Sequence, residues 1–301
     1  MDRILILGSE GFIGSHAVRH FRALGYSVTA ADIVLKDEKD YLLINPEFAD
    51  FSRIFSQWQF DVCINATGAA NVQLSFTYPA MDYTLNAANI YHILDSIRKY
   101  NPECKFINLS SAAVYGNPFS LPIHESAPLN PVSPYGYHKY YSEQICREFH
   151  ILFGLRTMST RIFSAYGERL KKQLFWDLYQ KVSQTTESIE LFGTGNETRD
   201  FIYIGDITNA LHSIILKAPF DGSAVNVASG KESTIREVVD IFMHALDKQI
   251  DVRFTGNNKI GDPLNWRADI GLLESFGFKT TYSLKDGINN YCRWVQERKL
   301  P

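Results

Sequence analysis

The chain has 301 residues, of which 45% are hydrophobic and 21% are charged, and its formal net charge at pH 7 is −3. These proportions are typical of a globular protein and exclude a disordered or fibrous chain. Lys and Arg are spread along the sequence, and no apolar run approaches the ~20 residues of a membrane-spanning helix, so neither nucleic acid nor a membrane is an expected partner.

The cysteines predict thiols rather than a metal site. Cys63, Cys104, Cys146 and Cys292 are far apart and form no C-x-x-C pair of the kind that binds zinc. The opening residues MDRILILGSEGFIG lack the long apolar stretch and the small-residue cleavage site of a signal peptide. We therefore expect buried free thiols, no bound metal and a cytoplasmic protein.

In chain order, the first half alternates short apolar runs with longer segments of helical period, which is the pattern of βαβ units. Strands are predicted at residues 3–8, 27–32, 40–45, 62–67, 105–111 and 156–163. Helices are predicted near residues 12–24, 46–59, 83–100 and 134–153. The expected fold class is α/β, with a Rossmann doubly wound parallel sheet.

Beyond residue 165 the alternation becomes less regular. Short strands are predicted at 189–192, 201–204 and 224–228, a helix at 235–246, and loops at 193–196 and 256–261. We expect a first domain over residues 1–165, to which later segments return, and a smaller C-terminal α/β substrate lobe over residues 166–301. Loops that face a cleft usually determine specificity.

A glycine-rich turn follows the first predicted strand. It reads Gly8-Ser9-Glu10-Gly11-Phe12-Ile13-Gly14, and its glycines permit a tight turn in which backbone N–H groups and the helix dipole face a pyrophosphate. A ligand-free turn is the alternative. Asp32 ends the second strand eighteen residues after Gly14, close to the ~20 expected for a carboxylate that accepts from ribose hydroxyls. Together the two features predict a dinucleotide site, and Asp32 favours NAD over NADP because it repels a 2′-phosphate.

Tyr135 and Lys139 stand four residues apart on a predicted helix, so both project from one face. A nearby cation favours the phenolate, and lowering a phenol pKa from about 10 by ~3 units takes roughly 4 kcal/mol. We expect Lys139 and a nicotinamide cation to supply it, giving a tyrosine that exchanges protons near pH 7. The alternative is an exposed helical pair. Ser110 and Ser111 end the strand at 105–111, at the edge of the sheet where ligands bind.

On these motifs the chain resembles the extended short-chain dehydrogenases/reductases of the nucleotide-sugar epimerase/dehydratase family, and in particular the UDP-glucose 4-epimerases. The resemblance implies that Ser111 is catalytic, that Tyr135 is the acid/base, and that Lys139 binds the nicotinamide ribose and tunes the tyrosine. It also implies contacts with NAD by Gly8, Gly11, Phe12, Ile13, Gly14, Asp32, Asn45, Ala66, Gly68, Asn86, Ser110, Tyr135, Lys139 and Phe163.

Two positions near the cofactor and the catalytic pair depart from the pattern of that family. Asn45 stands where the family has an Asp that contacts adenine, and His138 replaces a small hydroxyl residue beside Lys139. A metal role for His138 is not expected, because no second ligand is spaced with it.

The substrate-binding residues are also implied by the resemblance. Ser164 stands where the family has an Asn that helps to hold the substrate diphosphate, and Arg199 is the expected guanidinium fork on that diphosphate. Lys259 and Asp262 stand in an R-x-G-D-like motif that contacts the phosphate and ribose. The alternative for Arg199 is an ion pair with Asp200 or Asp206.

The residues after Ser111 bear on the reaction. Ala112 and Ala113 replace the acidic pair of the 4,6-dehydratases, which disfavours dehydration and decarboxylation. An NAD-dependent 4-epimerase acting through a transient 4-keto sugar remains, as does a 4-ketoreductase that makes a deoxysugar. Asp32 favours the epimerase, because such reductases often use NADPH. A catalytically silent NAD-sensing protein is a third interpretation, disfavoured by the presence of Ser111, Tyr135 and Lys139.

The resemblance further implies a homodimer in which helices 83–100 and 134–153 pair with their copies in a four-helix bundle. A nucleotide-diphosphate sugar is the implied substrate.

Overall fold

A seven-stranded parallel sheet forms the centre of the computed structural model, which describes residues 2–45, 50–185, 187–257 and 264–298. The strands in chain order are β1 Arg3–Leu7, β2 Ser27–Asp32, β3 Tyr41–Leu43, β4 Val62–Asn65, β5 Lys105–Ser111, β6 Thr157–Ile162, β7 Ser164–Tyr166, β8 Ser188–Leu191, β9 Thr198–Arg199, β10 Phe201–Tyr203, β11 Asp221–Val227, β12 Ser233–Thr234 and β13 Asp251–Phe254. In the central sheet the order is β11-β6-β5-β4-β1-β2-β3.

Helices cover both faces of this sheet. They are α1 Phe12–Ala23, α2 Phe51–Gln57, α3 Val72–Thr77, α4 Pro79–Tyr83, α5 Asn89–Tyr100, α6 Pro134–Phe153, α7 Gln173–Gln184, α8 Ile204–Lys217, α9 Ile235–Ala245, α10 Gly271–Ser275 and α11 Leu284–Glu297. A π-helical turn, Thr84–Ala88, links α4 to α5, and a 3₁₀ turn, Ala112–Val114, follows β5.

The alternation of side chains along β1 builds two hydrophobic cores. Ile4 and Ile6 face the core that includes α1 and α8, whereas Leu5 and Leu7 face the core that includes α2 and α5. All four side chains are fully buried. This is typical of a parallel strand covered by helices on both faces.

The strand order reverses at β1, which pairs with β2 on one side and with β4 on the other. In open α/β sheets a crevice forms at the carboxyl ends of the strands at such a point, and ligands bind there. We call the space bounded by the Gly8–Gly14 turn, Gly68, Asn86 and Ser111 the crevice.

Helix α6 has strong signals at both ends. Ser133 caps its amino terminus by accepting a hydrogen bond from the backbone N–H of Gly136 at 3.1 Å, and Pro134 occupies the first position. Gly154 ends the helix in the left-handed conformation with φ of 71°. These signals fix the helix that carries Tyr135 and Lys139.

The predicted Rossmann fold is confirmed, with a few local differences. The helix predicted at 83–100 is divided, because the π turn precedes α5. The strand predicted at 224–228 is β11, which joins the central sheet beside β6. The division of the chain at residue 165 stays a prediction. Residues 46–49, the start of the helix predicted at 46–59, lie outside the described residues.

Candidate active site

The glycine-rich turn between β1 and α1 lies tightly against the neighbouring strand. Gly8 has φ of 77°, and a Cβ at this position would lie 2.6 Å from the backbone of Ala66. A Cβ on Gly14 would clash with the carbonyl oxygen of Gly8. Gly11 is the N-cap of α1, and no side chain of the described residues caps that helix. Its first N–H groups therefore suit an anion in the crevice.

Asp32 lies at the carboxyl end of β2, beside this turn. Its two carboxylate oxygens accept from the backbone N–H groups of Glu10 at 2.8 Å and Ile33 at 2.7 Å. A carboxylate has about four lone-pair sites, so acceptors remain for ribose hydroxyls. Lys36 forms an ion pair with Glu10 at 2.8 Å. Lys36 is the cation nearest to Asp32 in sequence and could attract a 2′-phosphate, but this ion pair partly neutralises its charge.

The opposite wall of the crevice presents a buried amide. Asn86, on the π turn, is fully buried, and both polar atoms of its side chain have no hydrogen-bond partner among the described residues. A Cβ on Gly68, whose φ is 113°, would clash with the Asn86 oxygen and would lie 3.5 Å from Lys139 Nζ. An unpaired buried amide costs about 1–3 kcal/mol, so these residues fit a polar group of a bound dinucleotide.

Ser111, Tyr135 and Lys139 converge at the floor of the crevice. Ser111 ends β5 and its Oγ accepts from Ala113 N at 3.2 Å, while the hydroxyl groups of Ser111 and Tyr135 share a hydrogen bond. Lys139 Nζ donates to the Leu109 carbonyl oxygen at 2.9 Å and lies 5.9 Å from the centre of the Tyr135 ring. The structure thus brings together the three residues that the sequence nominated for catalysis.

The electrostatics of this group differ from the expectation. Burial raises the pKa of Tyr135 to about 12, although the hydrogen bond with Ser111 opposes that change. Burial also lowers the pKa of Lys139 to about 8. Loss of water therefore outweighs the cation in the protein alone, and the Lys139 ammonium faces the Leu109 carbonyl oxygen at 2.9 Å. The predicted lowering of the tyrosine pKa is not supplied by Lys139.

The side chain of Ser110, a predicted cofactor contact, points away from the crevice. Its hydroxyl donates to Glu143 at 2.6 Å, and Glu143 forms a buried ion pair with Arg161 at 2.7 Å. Arg161 also donates to the Tyr115 hydroxyl at 2.9 Å. This buried network links β5 to α6 on the side away from the crevice. Its residues are far apart in the chain, so sequence spacing could not identify it.

The remaining predicted cofactor contacts lie at the edges of the crevice. Phe12 and Ile13 begin α1 and are partly buried. Ala66 follows β4, and its N–H donates to Leu7 at 2.8 Å. Phe163 is buried against the rings of Tyr115 and Trp266, whereas Asn45 is exposed beyond β3.

The predicted substrate residues lie on the strands that follow β6. Ser164 begins β7, which pairs with β10, and its N–H donates to the Asp200 carbonyl oxygen at 3.0 Å. Arg199 donates through Nη1 to the carbonyl oxygens of Thr198 and Leu264, at 2.8 and 2.9 Å, and lies over the ring of Trp266. Lys259 and Asp262 lie outside the described residues.

The carboxylates considered as alternative partners for Arg199 are engaged by the backbone. Asp200 accepts from the N–H groups of Ser229, Gly230 and Ala268. Asp206 accepts from those of Thr281 and Tyr282.

Two features of the crevice were missed by sequence reasoning. Lys172, just before α7, donates to the Ala70 carbonyl oxygen at 3.2 Å, and its charge contributes to the lowered pKa of Lys139. It is exposed, yet surrounding protein lowers its own pKa, which is typical of a cleft-lining residue. The second feature is a buried contact between His138 and Asp82. The substitution at His138 was a signal, but nothing in the sequence indicated Asp82.

All four cysteines are buried free thiols, as predicted. Within the described part of the chain, no group of three or more His, Cys, Asp and Glu side chains is arranged to hold a metal ion. Over the same residues, no helix is long and apolar enough to cross a membrane.

Comparisons with known proteins agree with this architecture. The model of the NAD dependent epimerase/dehydratase family matches residues 4–228. A putative UDP-glucose 4-epimerase from Methanocaldococcus jannaschii is 30% identical over 97% of this chain and 98% of its own length. UDP-N-acetylglucosamine 4-epimerase from Methanobrevibacter ruminantium superposes with a TM-score of 0.88 at 25% identity, covering 99% of both chains. UDP-glucuronic acid 4-epimerase from Bacillus cereus, solved with UDP-glucuronic acid and NAD, shares the fold with a TM-score of 0.87 at 23% identity over 98% of this chain and 99% of its own.

Proposed function

The chain belongs to the NAD dependent epimerase/dehydratase family, and we propose that it interconverts the two C4 epimers of a nucleotide-diphosphate sugar through a transient 4-keto sugar. It is an enzyme of the extended short-chain dehydrogenase/reductase type, and its cofactor is NAD. The convergence of Ser111, Tyr135 and Lys139 at the crevice carries the proposal.

The crevice suits NAD at both ends. The uncapped first turn of α1 and Asp32 suit the pyrophosphate and the adenosine ribose, and the buried amide of Asn86 offers hydrogen bonds at the far end. Lys139, 3.5 Å from a Cβ built on Gly68, is within reach of a ribose at the same end. When bound, NAD supplies the acceptor and donor of the hydride at C4 of the sugar.

The protein residues move one proton. Tyr135 accepts the proton of the sugar 4-hydroxyl as the C4–H bond breaks, and it returns a proton to the 4-oxygen when hydride arrives at the other face. Ser111, hydrogen-bonded to Tyr135, orients the oxygen that gains and loses the proton. Hydride leaves C4 and returns to C4, so the reaction has no net oxidation or reduction.

Two competing reactions have less support. The 3₁₀ turn after β5 carries Ala112 and Ala113, so no carboxylate is provided there for elimination of water from the sugar. Asp32 at the end of β2 disfavours the 2′-phosphate of NADPH, which weakens the 4-ketoreductase. The contact between Ser111 and Tyr135, with the Lys139 ammonium 5.9 Å from the centre of the tyrosine ring, weighs against a silent binding protein.

The substrate class rests on similarity and on cationic residues. Similar proteins are named for UDP-sugars, and we propose a UDP-hexose as the substrate of this chain. Arg199 and Lys172 carry positive charge at the substrate side of the crevice, which suits a diphosphate. We propose Ser164, Lys259 and Asp262 as further substrate contacts.

We also propose a homodimer. Helices α4, α5 and α6 expose large apolar side chains on one side of the central sheet, among them Tyr83, Tyr91, Tyr137, Tyr141 and Leu152. Exposed aromatic residues clustered on adjacent helices are typical of an interface. The four free thiols suit a reducing compartment, and we propose that the protein is cytoplasmic.

The proposed function is tested with purified protein and no added cofactor. The protein is denatured and the released nucleotide identified, and a panel of UDP-, dTDP-, GDP- and CDP-sugars is followed by NMR. We expect NAD to be released and a UDP-hexose to be converted to its C4 epimer. Strict consumption of reduced cofactor would identify the reductase instead.

A further inference from the structure

A buried acid–histidine contact lies directly behind the catalytic helix. His138 Nδ1 donates to Asp82 Oδ2 at 2.6 Å. Asp82 is 2% exposed and His138 is 9% exposed. The other oxygen of Asp82 has no hydrogen-bond partner among the described residues. A carboxylate so placed is costly to bury, and its field acts strongly on neighbouring charges.

The contact joins α4, which leads into the turn that carries Asn86, to α6, which carries the catalytic residues. Asp82 lies on α4, just before the π turn with Asn86. His138 lies on α6 between Tyr135 and Lys139, and its ring packs edge-on against Tyr83 at 5.4 Å between centres. A shift of α4 against α6 would therefore move Asn86 relative to Lys139.

Among the charges that act on Lys139, that of Asp82 has the largest effect on the lysine pKa. Glu143 also faces Lys139, but its carboxylate is matched by Arg161, which donates to it through Nε and Nη2. The positive charge of Lys172 acts in the opposite direction and lowers the pKa of Lys139. Of the two carboxylates that favour the charged lysine, Asp82 is therefore the one without a guanidinium partner.

Asp82 also acts on the tyrosine. Its charge raises the pKa of Tyr135, where burial is the larger cause and the hydrogen bond with Ser111 acts in the opposite direction. The same carboxylate raises the pKa of Lys139 against the larger lowering by burial. Removing one negative charge therefore moves both pKa values in the same direction, downwards.

We propose that Asp82, held by His138, is a positioning residue of the catalytic centre: it ties the turn that carries Asn86 to the helix that carries Tyr135 and Lys139, and it places a buried negative charge behind that pair. The part of this inference that concerns turnover rests on the proposed function. The part that concerns the charge of Lys139 does not.

The first test is the pH profile of turnover for Asp82→Asn. The Asn oxygen still accepts from His138, so the hydrogen bond is retained and the charge alone is lost. The two limbs of the profile report the ionisation of Tyr135 and Lys139 as a pair. Both limbs are expected to move to lower pH, by roughly 0.5–1 unit, with KM changed less than about twofold.

Two matched variants separate charge from packing. His138→Asn keeps a donor near the position of Nδ1 and leaves the Asp82 charge, so both limbs should stay in place. Asp95→Asn removes a carboxylate on the adjacent helix α5, where Asp95 pairs with Arg98 and Lys99 at the surface, and should move neither limb. If Asp82→Asn is unstable, Asp82→Asn/His138→Asn replaces the pair by two amides that can bond to each other.

The second test does not depend on catalysis. The free energy of unfolding is measured against pH for the cofactor-free wild type and Lys139→Met, in the presence and absence of Asp82→Asn. The difference in unfolding free energy between the protein with Lys139 and its Lys139→Met variant should begin to change at a lower pH when Asp82 is replaced by Asn. If no sugar is converted, the proposed function fails, and this measurement still decides the role of Asp82.

Three results would overturn the inference. One is a uniform fall in turnover with both limbs unmoved in Asp82→Asn, which indicates a merely structural role. Another is an equal shift in Asp95→Asn. The third is an unfolding profile in which the contribution of Lys139 keeps the same pH dependence without Asp82.

Discussion

The ammonium group of Lys139 donates to the carbonyl oxygen of Leu109 at 2.9 Å, so the lysine of α6 is anchored to the strand that ends in Ser111. This contact holds helix and strand in register and keeps the charge at the floor of the crevice. Burial of the same ammonium group lowers its pKa to about 8. The burial that places this charge at the crevice therefore also destabilises the cofactor-free protein below pH 8.

Replacing Tyr135 by Phe tests the proton transfer. We expect kcat to fall about 10²–10⁴-fold, because the hydroxyl that exchanges the proton is lost. NAD binding should change less than about threefold, since the ring and Lys139 remain. Tyr137→Phe, which removes an exposed hydroxyl from the same helix, should retain activity. Comparable activity in the two variants would contradict the assigned role.

Gly68→Ala tests the wall of the crevice. Gly68 has φ of 113°, and its added Cβ would clash with the amide oxygen of Asn86. We expect NAD affinity to fall at least about tenfold, together with a loss of roughly 1–3 kcal/mol in stability. Gly256→Ala is the matched control, because Gly256 has φ of 78° and no atom of the described residues lies within 4 Å of the added Cβ. It should lose stability but not NAD affinity, as measured by titration and urea unfolding.

Lys139→Met should stabilise the cofactor-free protein at neutral pH. Burial lowers the lysine pKa from 10.5 to about 8, so the unfolded state binds the proton more tightly and the native state is penalised below pH 8. The penalty is roughly 3 kcal/mol, offset by about 1 kcal/mol for the lost hydrogen bond with Leu109. As pH rises from about 8 to 10.5 the penalty disappears. Equal stability of the two proteins at pH 7 would count against a charged buried lysine.

A histidine cluster between α1 and α8 predicts acid sensitivity. Burial lowers the pKa values of His20 and His212, and the Tyr26 hydroxyl lies 3.1 Å from His212 Nε2. The unfolded chain binds protons first as pH falls below 6.5, so stability should fall there. In the double variant His20→Asn/His212→Asn, the unfolding free energy should fall less between pH 7.5 and 5 than it does in the wild type. An unchanged slope of unfolding free energy against pH would exclude this source.

The proposed dimer is tested by placing one negative charge on the exposed apolar surface of α4, α5 and α6. Tyr91 on α5 is 46% exposed within the apolar surface of α4, α5 and α6. Tyr91→Asp should convert a dimer to a monomer in sedimentation at micromolar concentration, because burying an unpaired carboxylate at an interface is unfavourable. Sedimentation of the wild type as a monomer would exclude the proposed dimer.

The sequence predicted those parts of the molecule that depend on local pattern. The glycine turn, Asp32 at the end of β2, Ser111 at the end of β5 and the pair on α6 all follow from strand periodicity and short spacings. The crevice follows from them, because parallel strands end at one edge of the sheet.

The parts that were missed depend on burial and on distant contacts. Asp82 and His138 are 56 residues apart, and neither a motif nor a period connects them. The sequence did not indicate that the pKa of Tyr135 is raised in the protein without NAD, because the cost of burial depends on surrounding atoms that a sequence does not display. The π turn that turns Asn86 inward interrupts what reads as one regular helix.

The most direct measurement follows the sugar C4 hydrogen in ²H₂O. The purified protein, without added cofactor, is incubated with the UDP-hexose that it converts, and both epimers are analysed by NMR and mass spectrometry. Hydride that leaves C4 and returns to C4 predicts a mixture of C4 epimers with no solvent deuterium at C4. Deuterium at C4, or no conversion by protein shown to contain NAD, would contradict the account.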